Sequence, residues 1–244
     1  IEFGAGSLRK VKPLLQALPA IGKFIPIDIS GEHLALACQQ LQQDFPAVAV
    51  TPIIADFCHS VTLPPLGTAQ RIGFFPGSTI GNFSPAQAQT FLCNARQTLG
   101  PDSYLLIGVD TKKSPHYLHQ AYNDAKGITA KFNRNILLRI NRELNGGFKP
   151  ETFEHYAFYN AGQGRVEMHL ISTLEQVVDV FGTAIAFSAG ESIHTENSYK
   201  YSPDEFMHLA AAAGWHTEQH WLANKQLFAT YLLKSSCQRG GAGG

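Results

Sequence analysis

The sequence predicts an α/β protein with a Rossmann-like fold, in which a mostly parallel twisted sheet is interrupted by an inserted α+β segment. Short apolar runs alternate with helical patterns, which is typical of βαβ units. Gly4 and Gly6 follow the first apolar residues, at the kind of strand end where such sheets bind ligands. The pattern changes between residues 111 and 201 and then returns, which indicates the insert.

The spacing of apolar residues predicts the first elements. Strands are expected at residues 24–27, 48–54, 72–75 and 104–109, and helices at 32–43 and 85–99. Ser84 and Pro85 supply a capping residue followed by proline at the first helical position. Inside the insert, helical patterns cover residues 117–124 and 130–144, and strand-like stretches cover 165–173 and 183–187.

A second helix start follows the insert. Ser202 and Glu205 form a capping box, and the predicted helix ends before Gly214. Two strand-like runs, 216–222 and 226–234, suit an antiparallel pair that closes the sheet. We therefore assign residues 1–110 and 202–244 to the main domain and 111–201 to an inserted substrate-binding domain.

Composition and charge favour a folded protein with a small-molecule partner. Of the 244 residues, 44% are hydrophobic and 16% are charged, which is enough for a sizeable core. The formal net charge is zero, so neither nucleic acid nor an anionic membrane surface is an expected partner. No apolar run reaches the ~18 residues of a membrane span. The dispersed cysteines predict free thiols, and we expect a cytoplasmic monomer.

The sequence also allows a prediction for each end of the chain. Only three residues precede Gly4, fewer than the ~5–6 of an ordinary central strand, so we expect the chain to start inside its first strand and to lack a preceding segment. Residues 239–244 are almost all glycine, which predicts a flexible tail.

Glycines and acidic residues at strand ends predict a nucleoside site. Arg9 stands where a dinucleotide-binding loop has its third glycine, which favours a nucleoside without a pyrophosphate over NAD. Asp28 is placed to meet a ribose hydroxyl, or else to serve as a turn or helix-cap aspartate. Asp56 and Phe57 suit an adenine ring, and Asp56 has the same alternative. Lys10 either reaches a ligand carboxylate or is an ordinary solvated lysine.

The segment 74–83 follows the fourth strand and is rich in glycine and hydrogen-bonding side chains. Gly77 and Gly81 permit a tight backbone path, while Thr79 and Asn82 offer hydrogen bonds into the crevice. The alternative is a plain glycine-rich connection in which Asn82 is a turn residue.

This segment closely resembles the signature loop of the histidine Nα-methyltransferases of ergothioneine biosynthesis. Further matching motifs lie at residues 121–124, 127–135, 166–169 and 195–201, so the resemblance covers essentially the whole chain. It implies a class I fold that binds S-adenosylmethionine (SAM) in the main domain. The implied activity is the conversion of L-histidine to its trimethylated betaine, hercynine.

The resemblance also implies roles for individual residues. The cofactor contacts would be Gly4, Gly6, Lys10, Asp28, Asp56, Phe57 and Gly77. Asn82 would be the catalytic residue that holds the substrate amine, because its side-chain oxygen accepts a hydrogen bond without adding charge. The other substrate contacts would be Thr79, Tyr122, Met168, Glu196 and Ser198, with Glu196 and Ser198 on the imidazole.

Alternatives to these roles stay open. On the sequence alone, Met168 is more typical of an ordinary core residue than of a ligand contact. Glu196 has the alternative of a surface strand residue paired with Lys200. The family carries an N-terminal segment that closes over the substrate, for which this sequence has no replacement. Asn197 stands where an aliphatic residue is common, and in a strand its side chain would face away from Glu196.

Other functions are weighed against this one. The first alternative is a related enzyme that acts on another amino acid, such as a tryptophan derivative. The second is a ligand-binding protein without turnover, and the third is a NAD-dependent oxidoreductase. No metal is expected, because the spaced pairs His116–His119 and His216–His220 have no cysteine or carboxylate ligands beside them at zinc spacing.

Overall fold

The computed structural model describes residues 1–235 and divides into two compact units. Unit 1 comprises Ile1–Thr111 and the residues from Tyr201 onward, and unit 2 comprises Lys112–Lys200. The boundaries differ by one residue at each end from the predicted insert, because Thr111 and Tyr201 form a parallel bridge that keeps both in unit 1. The glycine-rich end of the chain, predicted as a flexible tail, lies outside the described residues.

The strands in chain order are β1 (Glu2–Phe3), β2 (Lys23–Phe24), β3 (Pro26–Asp28), β4 (Ala49–Val50), β5 (Ile53–Ile54), β6 (Ile72–Phe75), β7 (Tyr104–Asp110), β8 (Phe153–Asn160), β9 (Arg165–Ser172), β10 (Gln176–Val180), β11 (Thr183–Phe187), β12 (Ser192–Tyr199), β13 (Trp215–Leu222) and β14 (Phe228–Ser235). The α-helices are α1 (Lys12–Ala17), α2 (Gly31–Asp44), α3 (Pro85–Leu99), α4 (Pro115–Tyr122), α5 (Ile128–Glu143) and α6 (Pro203–Ala212). Short 3₁₀ turns occupy Thr79–Asn82, Pro150–Thr152 and Asn224–Gln226.

Unit 1 is built on a seven-stranded sheet in the order β13-β14-β7-β6-β1-β3-β5. Strands β5, β3, β1, β6 and β7 are parallel neighbours, so their carboxyl ends meet at one edge. Strand β14 lies antiparallel between β7 and β13. A separate two-residue pairing joins β2 to β4. The α/β fold and its mostly parallel sheet are therefore confirmed.

The last strand begins later than predicted. The sequence places its start at Gln226, but Lys225 and Gln226 adopt positive φ angles of 58° and 55°. Such angles belong to a turn and not to a strand. The strand consequently begins at Phe228.

Helix caps form as the sequence predicts. Ser202 Oγ accepts from Glu205 N at 3.2 Å, and Glu205 Oε2 accepts from Ser202 N at 2.7 Å, which completes the capping box of α6. Ser84 forms the same box with Gln87 at the start of α3. These caps satisfy amide groups that have no partner inside the helix.

The core of unit 1 places aromatic rings beneath the carboxyl edge of the sheet. Phe75 and Phe91 are buried with ring centroids 4.3 Å apart, and Phe57 packs 5.8 Å from Phe75. Cys38, Cys58 and Cys93 are free thiols, as predicted. Within residues 1–235, no helix is both long and apolar enough to cross a membrane.

Unit 2 contains a three-stranded antiparallel sheet in the order β12-β9-β8, together with the hairpin β10-β11. Leu118 of α4 packs with Ala157, Val166 and Met168, and Leu137 of α5 packs with other residues of the same sheet. Side chains alternate between the two faces of a strand. We call the face that carries Met168 the helix-covered face, and the face that carries Glu167 the outer face.

Candidate active site

The glycine turn after β1 is shaped by close packing and by one side chain of β3. Gly4 and Gly6 have φ angles of 64° and 51°, in the left-handed region that favours glycine. A Cβ atom at Gly4 would lie 3.0 Å from the Phe57 ring. Gly6 N donates to Asp28 Oδ2 at 2.9 Å, which joins the turn to the end of β3. Four of the predicted cofactor residues therefore lie together.

Asp28 and Asp56 each accept a hydrogen bond from a backbone N–H group two residues further along the chain. Asp28 Oδ1 also accepts from Ser30 N at 3.0 Å, so its carboxylate serves a turn while each oxygen retains a lone pair. Asp56 is exposed and accepts from Cys58 N at 2.9 Å and pairs with His59 Nδ1 at 3.1 Å. The hydrogen bond from Cys58 N is the main cause that lowers the pKa of Asp56.

Lys10 and Gly77 are neighbours at the same edge of the sheet. Gly77 has a φ angle of 77°, and a Cβ atom at this position would collide with Lys10 Nζ. The positive φ favours glycine here, and a Cβ atom would also displace the Lys10 ammonium from its position over the loop. Lys10 is an exposed residue, so its ammonium group can reach a ligand at this edge of the sheet.

The loop that carries Asn82 is held by hydrogen bonds of the Ser78 and Thr79 side chains. Ser78 adopts a left-handed φ of 59°, and its Oγ accepts from Asp110 N at 2.8 Å. Thr79 Oγ1 donates to Pro76 O at 3.3 Å and keeps its acceptor capacity. Asn82 ends the 3₁₀ turn as an exposed residue whose amide has no hydrogen bond to any residue in 1–235. Its oxygen and nitrogen are free for a ligand.

Glu2 is a residue that the sequence analysis missed. It is only 2% exposed, and its Oε2 has no hydrogen-bond partner within residues 1–235. Burial raises its pKa to about 8, with Lys10 opposing and Asp28 reinforcing the shift. The available signal was an acidic residue inside the short apolar strand, two positions before the first glycine of Gly-x-Gly. This orphaned oxygen beside the glycine turn fits a ligand that carries hydrogen-bond donors.

The predicted imidazole residues share the helix-covered face of unit 2. Glu196 of β12 pairs directly with Met168 of β9, and Ser198 pairs with Val166. Met168 is 3% exposed and Ser198 6%, whereas Glu196 is half-buried. Asn197 pairs with Glu167 and points to the outer face, as its place in a strand predicts.

Ser198 is held by two polar neighbours. Lys200 Nζ donates to Ser198 Oγ and to Tyr122 Oη, both at 2.8 Å, and Tyr122 Oη donates to Ser198 Oγ at 2.8 Å. Lys200 is 2% exposed, and its ammonium lies 4.9 Å from the centroid of the Tyr122 ring. The sequence alone indicates Lys200 only as a surface partner of Glu196. Its alternation with Glu196 and Ser198 in the sequence was the signal that it shares their face.

Burial raises the pKa of Glu196, while the nearby charge of Lys200 opposes that shift. Glu196 is thus a partly desolvated acceptor beside a cation. A ligand N–H would satisfy such a carboxylate, because charge-assisted hydrogen bonds are about twice as strong as neutral ones.

The motifs at 121–124 and 127–135 hold Tyr122 in place. The Asn123 side chain donates to Ala157 O at 2.9 Å and accepts from Ala157 N at 3.1 Å, which ties the end of α4 to β8. Asp124 accepts from Ile128 N and Thr129 N at 2.9 and 2.8 Å and so caps α5. These hydrogen bonds, first that of Thr129 N, lower the pKa of Asp124 to about 2.

The fold defines the class of protein. Its strand order, with one antiparallel strand next to the last and a glycine turn after β1, is that of a class I SAM-dependent methyltransferase. The structure is similar to the CcbJ methyltransferase from Streptomyces caelestis, with a TM-score of 0.53 and 13% identity over 96% of this chain and 82% of that chain. A SAM-dependent methyltransferase from Clostridium acetobutylicum has a TM-score of 0.52 and 10% identity, with 96% and 82% covered.

The chain belongs to the family of histidine-specific, SAM-dependent methyltransferases, whose model matches residues 1–235. It is 37% identical to the histidine N-alpha-methyltransferase of Mycolicibacterium smegmatis, with 91% of this chain and 70% of that protein covered. It is 30% identical to ergothioneine biosynthesis protein 1 of Neurospora crassa over 96% of this chain and 27% of that longer protein. The resemblance seen in the sequence is thereby confirmed, and the chain is a SAM-dependent N-methyltransferase.

Proposed function

We propose that this enzyme methylates the α-amine of L-histidine with SAM and yields the trimethylated betaine hercynine. The observation that carries the substrate assignment is the polar cluster of Glu196, Ser198, Tyr122 and Lys200 on one face of unit 2. An aliphatic side chain would leave both Glu196 and Ser198 unmatched, and an indole, which has an N–H donor but no acceptor, would leave Ser198 unmatched, at ~1–3 kcal/mol for each unsatisfied group. An imidazole ring has one donor and one acceptor to offer them.

The cofactor site lies at the carboxyl edge of the unit 1 sheet. Gly4, Gly6 and Gly77 let the backbone approach a ligand, and Asp28 has lone pairs for a ribose diol. Lys10 is placed for the methionyl carboxylate, and Asp56 with Phe57 for the adenine. The orphaned Glu2 oxygen adds an acceptor. When bound there, SAM supplies an electrophilic methyl group on a sulfonium.

Asn82 is proposed to orient the substrate amine. Methyl transfer is an in-line displacement, so the nitrogen must present its lone pair and cannot be protonated at that moment. In the first two transfers, the free amide oxygen of Asn82 can accept an N–H of the neutral amine and direct the lone pair elsewhere. Positioning of this kind can lower the activation free energy by up to roughly 7–11 kcal/mol. Thr79 has a spare acceptor for a second contact.

Ser198 and Glu196 are proposed to select one form of the ring. Lys200 and Tyr122 both donate to Ser198 Oγ, so its two lone pairs are occupied and its own proton points away from them. Ser198 is therefore a donor to a ring nitrogen, while Glu196 accepts the N–H of the other nitrogen. The neutral imidazole satisfies both residues. Met168 covers the ring from the neighbouring strand.

Mass spectrometry of histidine incubated with SAM and the enzyme tests the proposal. We expect products heavier by one, two and three methyl groups. The competing substrate is 4-dimethylallyltryptophan, because the chain is 29% identical to a 4-dimethylallyltryptophan N-methyltransferase of Penicillium roqueforti over 240 residues. A higher kcat/KM for that indole than for histidine would refute the assignment.

A matched pair of variants locates the specificity. Glu196→Gln should raise the KM for histidine about tenfold or more, because an ionic acceptor is lost. Glu154→Gln, on an exposed residue of β8, should leave KM unchanged. Calorimetric titration with SAM should give equal affinities for both variants, which separates substrate recognition from cofactor binding.

A further inference from the structure

The outer face of the unit 2 sheet carries a second cluster of polar side chains, separate from the imidazole residues. Glu167 and His169 alternate along β9, and His194 and Asn197 lie on β12. Asn197 pairs directly with Glu167, and His194 pairs directly with His169. Paired residues on neighbouring antiparallel strands point to the same side of a sheet, so all four share this face.

A bulge in β12 creates this arrangement. In a regular strand, His194 would alternate with Glu196 and Ser198 on the helix-covered face. The register shifts between His194 and Glu196, where Thr195 is the extra residue, and this shift turns His194 to the outer face. Bulges that re-aim one side chain are frequent beside functional sites.

The donor atoms converge. One ligand atom from each of Glu167, His169 and His194 lies within 4.8 Å of the other two. His169 Nε2 is 3.3 Å from Glu167 Oε2, and the rings of the two histidines stack with centroids 4.6 Å apart. Donors around a tetrahedral zinc ion lie roughly 3.4 Å apart, given bonds of about 2.0–2.1 Å. Small side-chain rotations therefore suffice to bring the three atoms into one coordination sphere.

Two further observations point to a cation. Asn197 Oδ1 is buried and accepts no hydrogen bond from residues 1–235, although it stands opposite Glu167. Glu167 Oε1 accepts from Arg165 Nε and Asn160 Nδ2, both at 2.9 Å, which turns Oε2 toward His169. Outer hydrogen bonds of this kind orient the ligands of metal sites.

We propose that Glu167, His169 and His194, completed by Asn197 Oδ1, bind one divalent transition-metal ion of the zinc type. Two imidazole nitrogens with oxygen ligands suit zinc, and His194 is exposed, which gives the ion a path of entry. The ion would join β9 to β12, the strands whose other face carries Met168, Glu196 and Ser198. Unlike His116–His119 and His216–His220, this cluster draws its ligands from two strands and includes a carboxylate.

Calorimetric titration of the enzyme with zinc chloride tests the site, with matched double variants. The wild type and His116→Asn/His119→Asn should bind one zinc ion with equal affinity. His169→Asn/His194→Asn should bind it at least about tenfold more weakly. Equal zinc binding by both double variants, or no zinc binding by the wild type, would overturn the proposal.

Two measurements guard against a misfolded variant or binding to cysteine. The single variant His194→Asn changes an exposed side chain, so it should fold normally by circular dichroism and still lose about tenfold in zinc affinity. Cobalt chloride should give visible d–d bands without a thiolate charge-transfer band. A thiolate band in the wild type, or wild-type zinc affinity in folded His194→Asn, would refute the assignment of these ligands.

Discussion

Replacing Lys200 by methionine should weaken histidine binding while leaving the fold and the cofactor site intact. The Lys200 ammonium donates hydrogen bonds of 2.8 Å to Ser198 Oγ and to Tyr122 Oη, and the residue is 2% exposed. Each hydrogen bond to a charged group contributes about 1.5–3 kcal/mol. The substitution also removes the cost of burying an ammonium, which offsets about one of these bonds.

The net loss is thus that of one charge-assisted bond, and it falls on substrate binding because the Ser198 proton is no longer directed. With ~1.4 kcal/mol for each factor of ten, the KM for histidine should rise about 10- to 150-fold. kcat should change much less, since the residue proposed to hold the methyl acceptor is Asn82 and not Ser198. Lys126→Met, on an exposed loop residue, is the matched control.

Steady-state kinetics with histidine as the varied substrate, together with thermal melts and SAM titrations of each variant, give the answer. A folded Lys200→Met enzyme with wild-type SAM affinity and a KM within twofold of the wild type would refute the reasoning. A loss shared equally by kcat, SAM affinity and melting temperature would show that Lys200 supports the structure and does not position Ser198. Tyr122→Phe, which removes the other donor to Ser198 Oγ, should raise KM in the same direction.

Three further predictions concern unit 1. Asn82→Ala should lower kcat about 100-fold with unchanged SAM affinity, measured by single-turnover product formation, because misplacement of the reacting nitrogen is costly. Gly77→Ala should weaken SAM binding in calorimetry through its φ of 77° and the collision with Lys10, whereas Gly67→Ala, with φ of 64° and open space, should not. Glu2 has a pKa raised from 4.5 to about 8, so the stability it contributes is present below pH 4.5 and is lost as pH rises through 8. Glu2→Gln should therefore flatten that decline in urea melts from pH 5 to 9, by at most about 5 kcal/mol; an unchanged slope would contradict the assignment.

Most of the fold could be predicted from the sequence because its signals are local. The capping box of Ser202 and Glu205 joins residues three apart, and the apolar run at 72–75 coincides with strand β6 from end to end. Such patterns act within one element, so no knowledge of distant residues is required. The late start of β14 shows the limit, since a positive φ at Lys225 and Gln226 has no glycine to announce it.

The candidate site was predictable where residues stand at strand ends, and less so where the chemistry depends on partners far along the chain. Gly4, Gly6 and Asp28 come together because parallel strands end at one edge. The role inferred for Lys200 depends on Tyr122, which is 78 residues away and is placed by its own helix. Burial of a polar side chain is likewise hard to predict. A glutamate in the first strand can be solvated or desolvated, and only the packed structure shows that Glu2 is 2% exposed.

Strand β12 shows why a period of two is not enough to assign the faces of a strand. Regular alternation correctly places Glu196, Ser198 and Lys200 together, and it would place His194 with them. One extra residue between His194 and Glu196 reverses the alternation, so His194 lies beside His169 on the other side of the sheet. The same short segment thereby carries residues of both proposed sites, the imidazole contacts on one face and the metal ligands on the other. Because both sites depend on the register between β9 and β12, a deletion of Thr195 should disturb both, whereas His194→Asn should affect the metal alone.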